Sequence, residues 1–122
     1  MGFDQGLVEW VVEAMEPLGT VTLRRMMGGA TLYLDGTIFA IVGRDSLWFK
    51  ADAESNALWD EAGCPRFAYA MSEGRVESMN YRRAPDDVYD DADGLREWAA
   101  LGVAAGLRAP RKKTRPKKKL QP

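Results

Sequence analysis

The side chains best suited to chemistry in this 122-residue chain are basic ones near its C-terminus. Eight of them fall within residues 108–122, among three prolines and no acidic residue: Arg108, Arg111, Lys112, Lys113, Arg115, Lys117, Lys118 and Lys119. Such charges neutralise phosphates and release counterions, which gives sequence-independent nucleic-acid binding that weakens as salt rises. No aromatic residue is interleaved, so the segment offers no base stacking. The pattern predicts a nucleic-acid contact, and the alternative is a solvated tail that only aids solubility.

The charge of the chain is divided between two segments. The tail holds eight of the 17 basic residues and none of the 18 acidic ones, so residues 1–107 carry a net charge of −9 while the whole chain carries −1. Such asymmetry is typical of an interaction tail. High charge and prolines predict that residues 108–122 are disordered. No amphipathic anchor accompanies the charges, so a membrane is not an expected partner.

The sequence lacks the residues of common catalytic machinery. It contains no histidine, which excludes Ser-His-Asp and Cys-His nucleophiles and imidazole metal ligands. Cys64 is the single cysteine, so neither an internal disulfide nor a thiolate cage is available, and a small structural residue is its expected role. No glycine motif matches a phosphate-binding loop. We therefore expect a protein that is not an enzyme, uses no metal or cofactor, and is located in the reducing cytoplasm.

An acidic cluster near the last predicted helix raises the question of calcium binding. It consists of Asp86, Asp87, Asp90, Asp91 and Asp93. In the calcium-loop pattern Asp91 and Asp93 would be the third and fifth ligand positions, but the first would be Tyr89, which supplies no carboxylate. Acids in the first turns of helices cap free N–H groups and complement the helix dipole. The cluster therefore predicts helix starts and not a metal site.

Helical and strand patterns follow one another in a way that is typical of a small α+β domain. The predicted elements are a helix at 4–18 capped by Asp4, strands at 20–26, 30–34, 37–42 and 47–51, a helix at 53–62 capped by Asp52, strands at 67–71 and 76–82, a short helical turn from Pro85 and a helix at 92–107. Short turns between successive strands, including the type I′ signal Asp35-Gly36, imply an antiparallel sheet. The nearly all-apolar strand 37–42 is expected at its centre. The expected fold is a two-layer sandwich, with helices packed against a largely antiparallel sheet.

One segment combines two arginines, two methionines and two glycines: Arg24-Arg25-Met26-Met27-Gly28-Gly29. Adjacent residues on a strand point to opposite faces, so only one of the two arginines can face the core. We interpret the segment either as an arginine-lined contact surface, or as a bulge that bends the sheet with Met26 and Met27 in the core. Tryptophan and arginine are enriched at interfaces, so Arg24, Arg25 and Trp48 form the candidate partner surface. Core packing is the alternative for the tryptophan.

This segment and the hairpin after it also resemble a known family. The residues that carry the resemblance are Arg25-Met26-Met27-Gly28-Gly29, Leu32-Tyr33-Leu34-Asp35-Gly36 and Phe39-Ala40. They are similar to the N-terminal domain of the TfoX/Sxy family of bacterial competence regulators, with Met26, Gly28, Gly29, Asp35 and Gly36 as the structural signature. The resemblance covers roughly residues 3–105. It implies a two-layer α+β domain similar to secretion-chaperone-like folds. It also implies a non-enzymatic protein that acts with the cyclic-AMP receptor protein to switch on DNA-uptake genes for transformation.

The full-length regulators carry a second, C-terminal domain, whereas this sequence is expected to be a single-domain member. Residues 1–107 are the expected TfoX N-terminal-like domain, followed by the disordered basic tail at 108–122. We expect a regulatory or adaptor domain that binds a protein partner, with the transcription machinery as the class that the resemblance implies. Weak nonspecific nucleic-acid binding by the tail would accompany it. The alternative is a chaperone-like or accessory protein-binding module, unrelated to DNA, for which a homodimer is open.

Overall fold

The computed structural model describes residues 3–26, 29–44, 46–70 and 76–109. Its elements in chain order are helix α1 (Gln5–Met15), strands β1 (Val21–Met26), β2 (Gly29–Leu34), β3 (Thr37–Val42) and β4 (Leu47–Lys50), helix α2 (Asn56–Glu61), strands β5 (Arg66–Ala70) and β6 (Val76–Arg83), a 3₁₀ helix (Asp86–Tyr89) and helix α3 (Ala92–Arg108). Each predicted helix and strand is present, although α1 and α2 are shorter than predicted. Among the helices described, none has the length and apolar character needed to cross a membrane.

The strands form one antiparallel sheet in the order β1-β2-β3-β4-β6-β5. β3 lies in the middle of this order, so the predicted central position of strand 37–42 is confirmed. Asp35 and Gly36 join β2 to β3 with φ values of 48° and 89°. Two positive φ values are what a type I′ turn requires. Helices pack against the sheet, which confirms the predicted α+β class.

Acidic caps begin the two long helices as predicted. Asp4 and Asp91 each accept a hydrogen bond from the backbone N–H three residues on, at 3.1 and 3.2 Å. The predicted cap of α2 is wrong, because the N-cap residue is Ser55. Asp52 instead accepts a hydrogen bond from the Ser55 backbone N–H at 3.1 Å, while the Ser55 hydroxyl accepts one from the Asp52 N–H at 3.0 Å. This reciprocal pair closes a turn ahead of α2, so the helix begins later than predicted.

Helix α3 lies directly on the backbone of β3. Gly102 and Gly106 face the sheet one helical turn apart. A Cβ atom at Gly102 would lie 2.7 Å from the Phe39 carbonyl oxygen, and one at Gly106 would overlap the Ile38 carbonyl oxygen. Only glycine permits an approach this close. The second half of α3 is therefore positioned by contact with the strand backbone itself.

Aromatic rings fill the core between the helices and the sheet. The Phe49 and Trp59 rings stack with centroids 5.8 Å apart, and Trp59 lies 5.0 Å from Trp98. Trp59 is fully buried. Its indole N–H has no hydrogen-bond partner among the described residues. The rings link α2, α3 and β4 into one apolar cluster, and large buried rings contribute strongly to core stability.

The end of β1 corrects an expectation about Met26. This residue pairs in register with Gly29, and 42% of its surface is exposed. It therefore does not pack in the core. β1 is the terminal strand of the sheet, and only Val21 among its residues is buried. A half-buried strand is predicted from the alternation of residue types, but the edge position leaves both faces of β1 largely in solvent. Met27 and Gly28 lie outside the described residues.

No bulge is found at Gly29, the described residue of the glycine pair. Gly29 is a regular partner in the β1–β2 ladder, and the register shift between β2 and β3 falls at Leu32/Tyr33. A Cβ atom at Gly29 would lie 2.7 Å from the Val42 carbonyl oxygen. Glycine at this position thus allows a close strand approach.

Candidate binding surface on the open face of the sheet

In the described parts of the chain, all three α-helices lie against one face of the sheet and none covers the other. The core that α1, α2 and α3 share with the sheet includes Ala40 and Phe49, which are register partners. Side chains alternate along a strand, so the next register row, Ile41 and Trp48, points to the opposite face and continues to Arg83 on β6. We call this surface the open face. Its residues include Arg24, Thr31, Tyr33, Ile41, Trp48, Lys50, Phe67, Tyr81 and Arg83, and the register of β5 with β6 also assigns Met79 and Glu77 to this face.

Cations lie over the aromatic rings of the open face. The Cζ atom of Arg83 is 5.9 Å from the centroid of the Trp48 ring, and Nζ of Lys50 is 5.3 Å from that of Tyr81. Phe67 meets Trp48 edge-on with centroids 4.9 Å apart. Tyr81 is only 7% exposed. The basic groups thus lie over apolar rings, in the geometry of cation–π contacts.

The phenol of Tyr81 adds no charge to this surface. Burial raises the pKa of Tyr81 to about 12, with the neighbouring Tyr33 as a second cause. The hydroxyl therefore stays neutral near pH 7. The charge of the open face comes from its basic side chains.

The open face is basic although the chain up to residue 107 is acidic. Within the part of the chain that the structure describes, Arg24, Lys50 and Arg83 form no ion pair. Fourteen of the acidic residues belong to the helices and to the loops beside them: Asp4, Glu9, Glu13, Glu16, Asp52, Glu54, Asp60, Glu61, Asp86, Asp87, Asp90, Asp91, Asp93 and Glu97. Asp35 lies in the turn between β2 and β3, and Glu77 lies on β6. Most of the acidic residues are therefore concentrated on the helices and their loops, whereas the charged side chains described on the open face are basic.

The structure separates the three residues that the sequence places on one partner surface. Arg24 pairs with Thr31, in the same register row as Trp48, so both lie on the open face. Arg25 points to the other side, where its Cζ atom is 5.1 Å from the ring of Phe3. The open face thus brings Arg24 and Trp48 together and excludes Arg25.

The segment that builds this surface matches a sequence family. The family model described as the TfoX N-terminal domain matches residues 13–106, which is most of the chain. The chain belongs to the TfoX N-terminal domain family. A comparison with the curated proteins finds no match. The predicted family membership is confirmed, and the matched part of this TfoX N-terminal domain contains every strand from β1 to β6.

One arginine of this TfoX N-terminal domain is buried, and sequence analysis missed it. Arg82 is 3% exposed. Its guanidinium donates hydrogen bonds to Asp60 Oδ1 at 2.7 Å, Asn56 Oδ1 at 3.1 Å and the Cys64 carbonyl oxygen at 3.0 Å. It therefore joins β6 to both ends of α2. The available signal is the adjacent pair Arg82-Arg83, since neighbours on a strand face opposite sides.

Cys64 lies at this junction and is itself buried. Burial raises the pKa of its thiol, which opposes formation of the reactive thiolate.

The first cation of the predicted tail is part of helix α3. Arg108 Nε and Nη2 donate hydrogen bonds to Asp52 Oδ2 and Oδ1 at 2.7 and 2.8 Å. These bonds lower the pKa of Asp52 from 3.8 to about 2. The other predicted tail residues lie outside the described residues: Arg111, Lys112, Lys113, Arg115, Lys117, Lys118 and Lys119. The pair with Asp52 thus connects the C-terminal end of α3, where the predicted tail begins, to the turn that follows β4.

A cavity of about 510 Å³ lies at the surface between α1 and α3. Trp10 on its wall donates a hydrogen bond from its indole to the Val88 carbonyl oxygen at 2.8 Å. Arg96 donates one to the Ala14 carbonyl oxygen at 2.6 Å and pairs with Asp93. Trp10 and Arg96 are thus engaged in joining the helices to each other.

Proposed function

We propose that this TfoX N-terminal domain is a non-enzymatic regulatory or adaptor domain that acts in the cytoplasm through protein–protein contacts. Its role is in competence-linked control of transcription, as the TfoX/Sxy resemblance implies. Family membership supports the regulatory class. The basic residues beyond Arg108 add weak, sequence-independent contact with nucleic acid.

The observation that carries the protein contact is the exposed edge strand β1. It ends the sheet, and five of its six residues are exposed. Leu23 and Met26 have 37% and 42% of their surface exposed there. An exposed edge offers backbone N–H and C=O groups to a further strand, while its side chains select the partner. We therefore assign β1 as the strand that receives a partner segment.

The partner segment is expected to be extended, apolar and acidic. Leu23 and Met26 offer apolar contacts, and Arg24 and Arg25 present positive charge on the two faces of the strand. Main-chain pairing supplies affinity in this mode, and alternate side chains supply specificity.

The test is affinity capture from source cells with three forms of the full chain. The first is wild type, the second carries Leu23→Lys and Met26→Lys, and the third carries Leu58→Lys as a control. Leu58 is an apolar residue of α2 with 49% of its surface exposed, so the control places a charge on an unrelated surface. A protein retained by wild type and by the control, but lost from the edge variant, is the expected result. Identical recovery by all three forms would contradict the assignment.

The same edge supports a second candidate, a chaperone-like or accessory module that forms a homodimer. Two copies of β1 could pair and extend the sheet across a two-fold axis. Light scattering at micromolar concentration separates the two candidates. If wild type is a dimer and the variant with Leu23→Lys and Met26→Lys is a monomer, the second candidate is favoured. A monomeric wild type would eliminate the homodimer.

A further inference from the structure

We propose that β1 selects a four-residue motif in the partner segment, which runs antiparallel to β1 and reads apolar, any residue, acidic, apolar. This inference rests on the proposed role of β1 as the receiving strand, and it adds the order of side chains that the strand recognises. The first apolar residue would lie opposite Met26, the acidic residue opposite Arg24 and the second apolar residue opposite Leu23. The occupant is thus a segment of another protein and not a second copy of this chain.

The first argument concerns the backbone groups at the edge of β1. The Thr20 carbonyl oxygen accepts a hydrogen bond from the Asp35 N–H at 2.9 Å, so the backbone of Thr20 faces β2. The ladder between β1 and β2 continues this register without a shift. Since the direction of the backbone groups alternates along a strand, the N–H and C=O groups of Val21, Leu23 and Arg25 face away from β2. Three donors and three acceptors are thus offered to a further strand.

The second argument sets the direction of the partner strand. Each strand pair described in this sheet is antiparallel. Antiparallel pairing is also slightly more stable per residue than parallel pairing. In this arrangement the partner residue opposite Leu23 exchanges two backbone hydrogen bonds with it. The residue opposite Arg24 turns its backbone away, so it contacts β1 through its side chain.

The third argument concerns the apolar position opposite Leu23. Leu23 pairs with the buried Leu32 on the face that the helices cover, yet 37% of its surface is exposed. Helix α1 packs over this end of the sheet, and its residue Val12 is 36% exposed. Trp10 bonds to Val88 on the α3 side, and Val12 lies about 200° further around α1, on the side away from α3. An apolar side chain opposite Leu23 would therefore be covered by Leu23 and Val12 together.

The fourth argument concerns the charge of the partner. Arg24 points to the open face, where its cross-strand neighbour is the neutral Thr31. In the part of the chain that the structure describes, Arg24 forms no ion pair. An opposite charge directly across an antiparallel pair is favourable. Arg25 instead lies over the ring of Phe3 on the other face, so the position opposite Arg25 needs no acid. A second copy of β1 would bring four arginines to one seam, where their like charges repel.

The fifth argument concerns the position opposite Met26. Met26 lies on the same side of β1 as Arg24, and 42% of its surface is exposed. Its flexible thioether adapts to apolar side chains of different shapes. The side of the partner that faces the helices therefore needs one apolar residue, whereas the other side needs one apolar and one acidic residue. This asymmetry distinguishes the motif from its reversed order.

The test is fluorescence anisotropy with labelled peptides of about twelve residues, at protein concentrations up to about 1 mM. The motif peptide has leucine, threonine, glutamate and leucine in that order, within a host of serine and threonine. A reversed peptide has the same four residues in the opposite order, and a lysine peptide has lysine in place of glutamate. We expect the motif peptide to bind about fivefold more tightly than the reversed peptide. Equal affinities, or no binding of the motif peptide at the highest concentration, would overturn the proposed order.

Charge reversal tests the contact with Arg24. The measured quantity is the affinity for the lysine peptide divided by the affinity for the motif peptide. Relative to wild type, this ratio should rise about tenfold in Arg24→Glu and less than about threefold in Arg25→Glu, the matched control with the same change of net charge. Equal ratios in the two variants would contradict the assignment of the acidic position. Circular dichroism melting shows whether each variant is folded, and Arg24→Gln and Arg25→Gln replace a pair that unfolds.

Methylation of the peptide backbone tests the direction of pairing. A methyl group on the nitrogen of the second leucine removes the donor to the Leu23 carbonyl oxygen, and should weaken binding about tenfold. The same group on the glutamate nitrogen, which faces away from β1, should weaken binding less. The opposite order of effects would refute antiparallel pairing in this register.

The variant with Leu23→Lys and Met26→Lys separates this inference from the proposed function. If wild type binds the motif, reversed and lysine peptides equally and this variant binds none, β1 remains the receiving strand but the motif is wrong. If this variant binds the motif peptide as tightly as wild type does, the role of β1 itself is refuted. A wild-type dimer that this variant dissociates, and that the motif peptide does not, would overturn the inference in favour of a second copy.

Discussion

Gly106 of α3 approaches the carbonyl oxygen of Ile38 in β3 so closely that no side-chain atom fits between the helix and the strand. Gly102, one turn earlier, is in similar contact with Phe39. Alanine would favour the helix by about 1 kcal/mol at either position on propensity alone. The contact with the strand backbone opposes that gain, because a backbone carbonyl cannot rotate away.

We expect Gly102→Ala and Gly106→Ala each to lower the free energy of unfolding by roughly 1–3 kcal/mol, the usual cost of overpacking. Urea denaturation measures the change. Ala100→Gly is the control, since Ala100 is an exposed residue of the same helix. Propensity alone predicts a loss of about 1 kcal/mol for that substitution. Stabilisation by either glycine-to-alanine change would show that α3 does not rest on β3 as described.

The pair of Asp52 and Arg108 predicts a dependence of stability on acid pH. The pKa of Asp52 is about 2 in the folded protein, below its ordinary value of 3.8. The native state therefore binds fewer protons than the unfolded chain between these values, and stability falls as pH falls through them. We expect Asp52→Asn to be less stable than wild type above pH 4, with the difference vanishing toward pH 2. Denaturant midpoints across this range measure it.

Glu54→Gln is the control for that titration. Glu54 lies 3.6 Å from Arg108 and its side chain is 71% exposed. An exposed pair at this distance contributes little to stability. A loss in this variant as large as that in Asp52→Asn would show that the effect reflects general charge and not the bidentate contact.

The buried Arg82 predicts an asymmetry between two partners of one ion pair. Lysine has no planar guanidinium with which to reach Asp60, Asn56 and the Cys64 carbonyl together. Arg82→Lys should therefore cost roughly 1–3 kcal/mol, because at least one of these acceptors, the buried Cys64 carbonyl oxygen among them, loses its donor. Asp60 is 67% exposed, so Asp60→Asn should cost less than about 1 kcal/mol. Chemical denaturation of both variants measures the two losses of stability. Equal losses would show that the ion pair with Asp60 dominates and would contradict the prediction.

The Tyr81 phenol predicts a loss of stability at alkaline pH. Its pKa is raised from 10.0 to about 12. The native state keeps a proton that the unfolded chain loses between these values, so stability falls as pH rises through them. Ultraviolet titration should show one tyrosine that ionises near pH 12, and Tyr81→Phe should remove it. Tyr33→Phe is the control and should move that late transition to lower pH without removing it, because burial is the larger cause of the raised pKa of Tyr81.

The helices, strands and turns of this fold were predictable because each is specified by residues that are neighbours in the sequence. Asp35-Gly36 specifies its turn by allowed backbone angles, and Asp4 and Asp91 specify helix starts by reaching the free N–H groups of the first turn. The exposure of Met26 was not predictable in this way. It depends on β1 being the outermost strand, and strand order is decided by packing between distant parts of the chain.

The open face was only partly predictable for a related reason. Adjacent arginines must divide between two faces, but the sequence does not say which face the helices cover. In the structure Arg24 and Arg83 lie on the open face, while Arg25 and Arg82 lie on the face that the helices cover. The tail cations were visible at once from composition, since their charge needs no partner to be recognised.

The concentration of acidic residues on the helices and their loops, with Arg24, Lys50 and Arg83 on the open face, gives the domain an electric dipole moment across the thickness of the sheet. A polyanion exerts a torque on such a molecule before contact, which turns the helices away and the strands toward it. The domain would thus arrive already oriented, and a larger share of its collisions would be productive. That alignment weakens as the Debye length shrinks, to about 8 Å at physiological ionic strength.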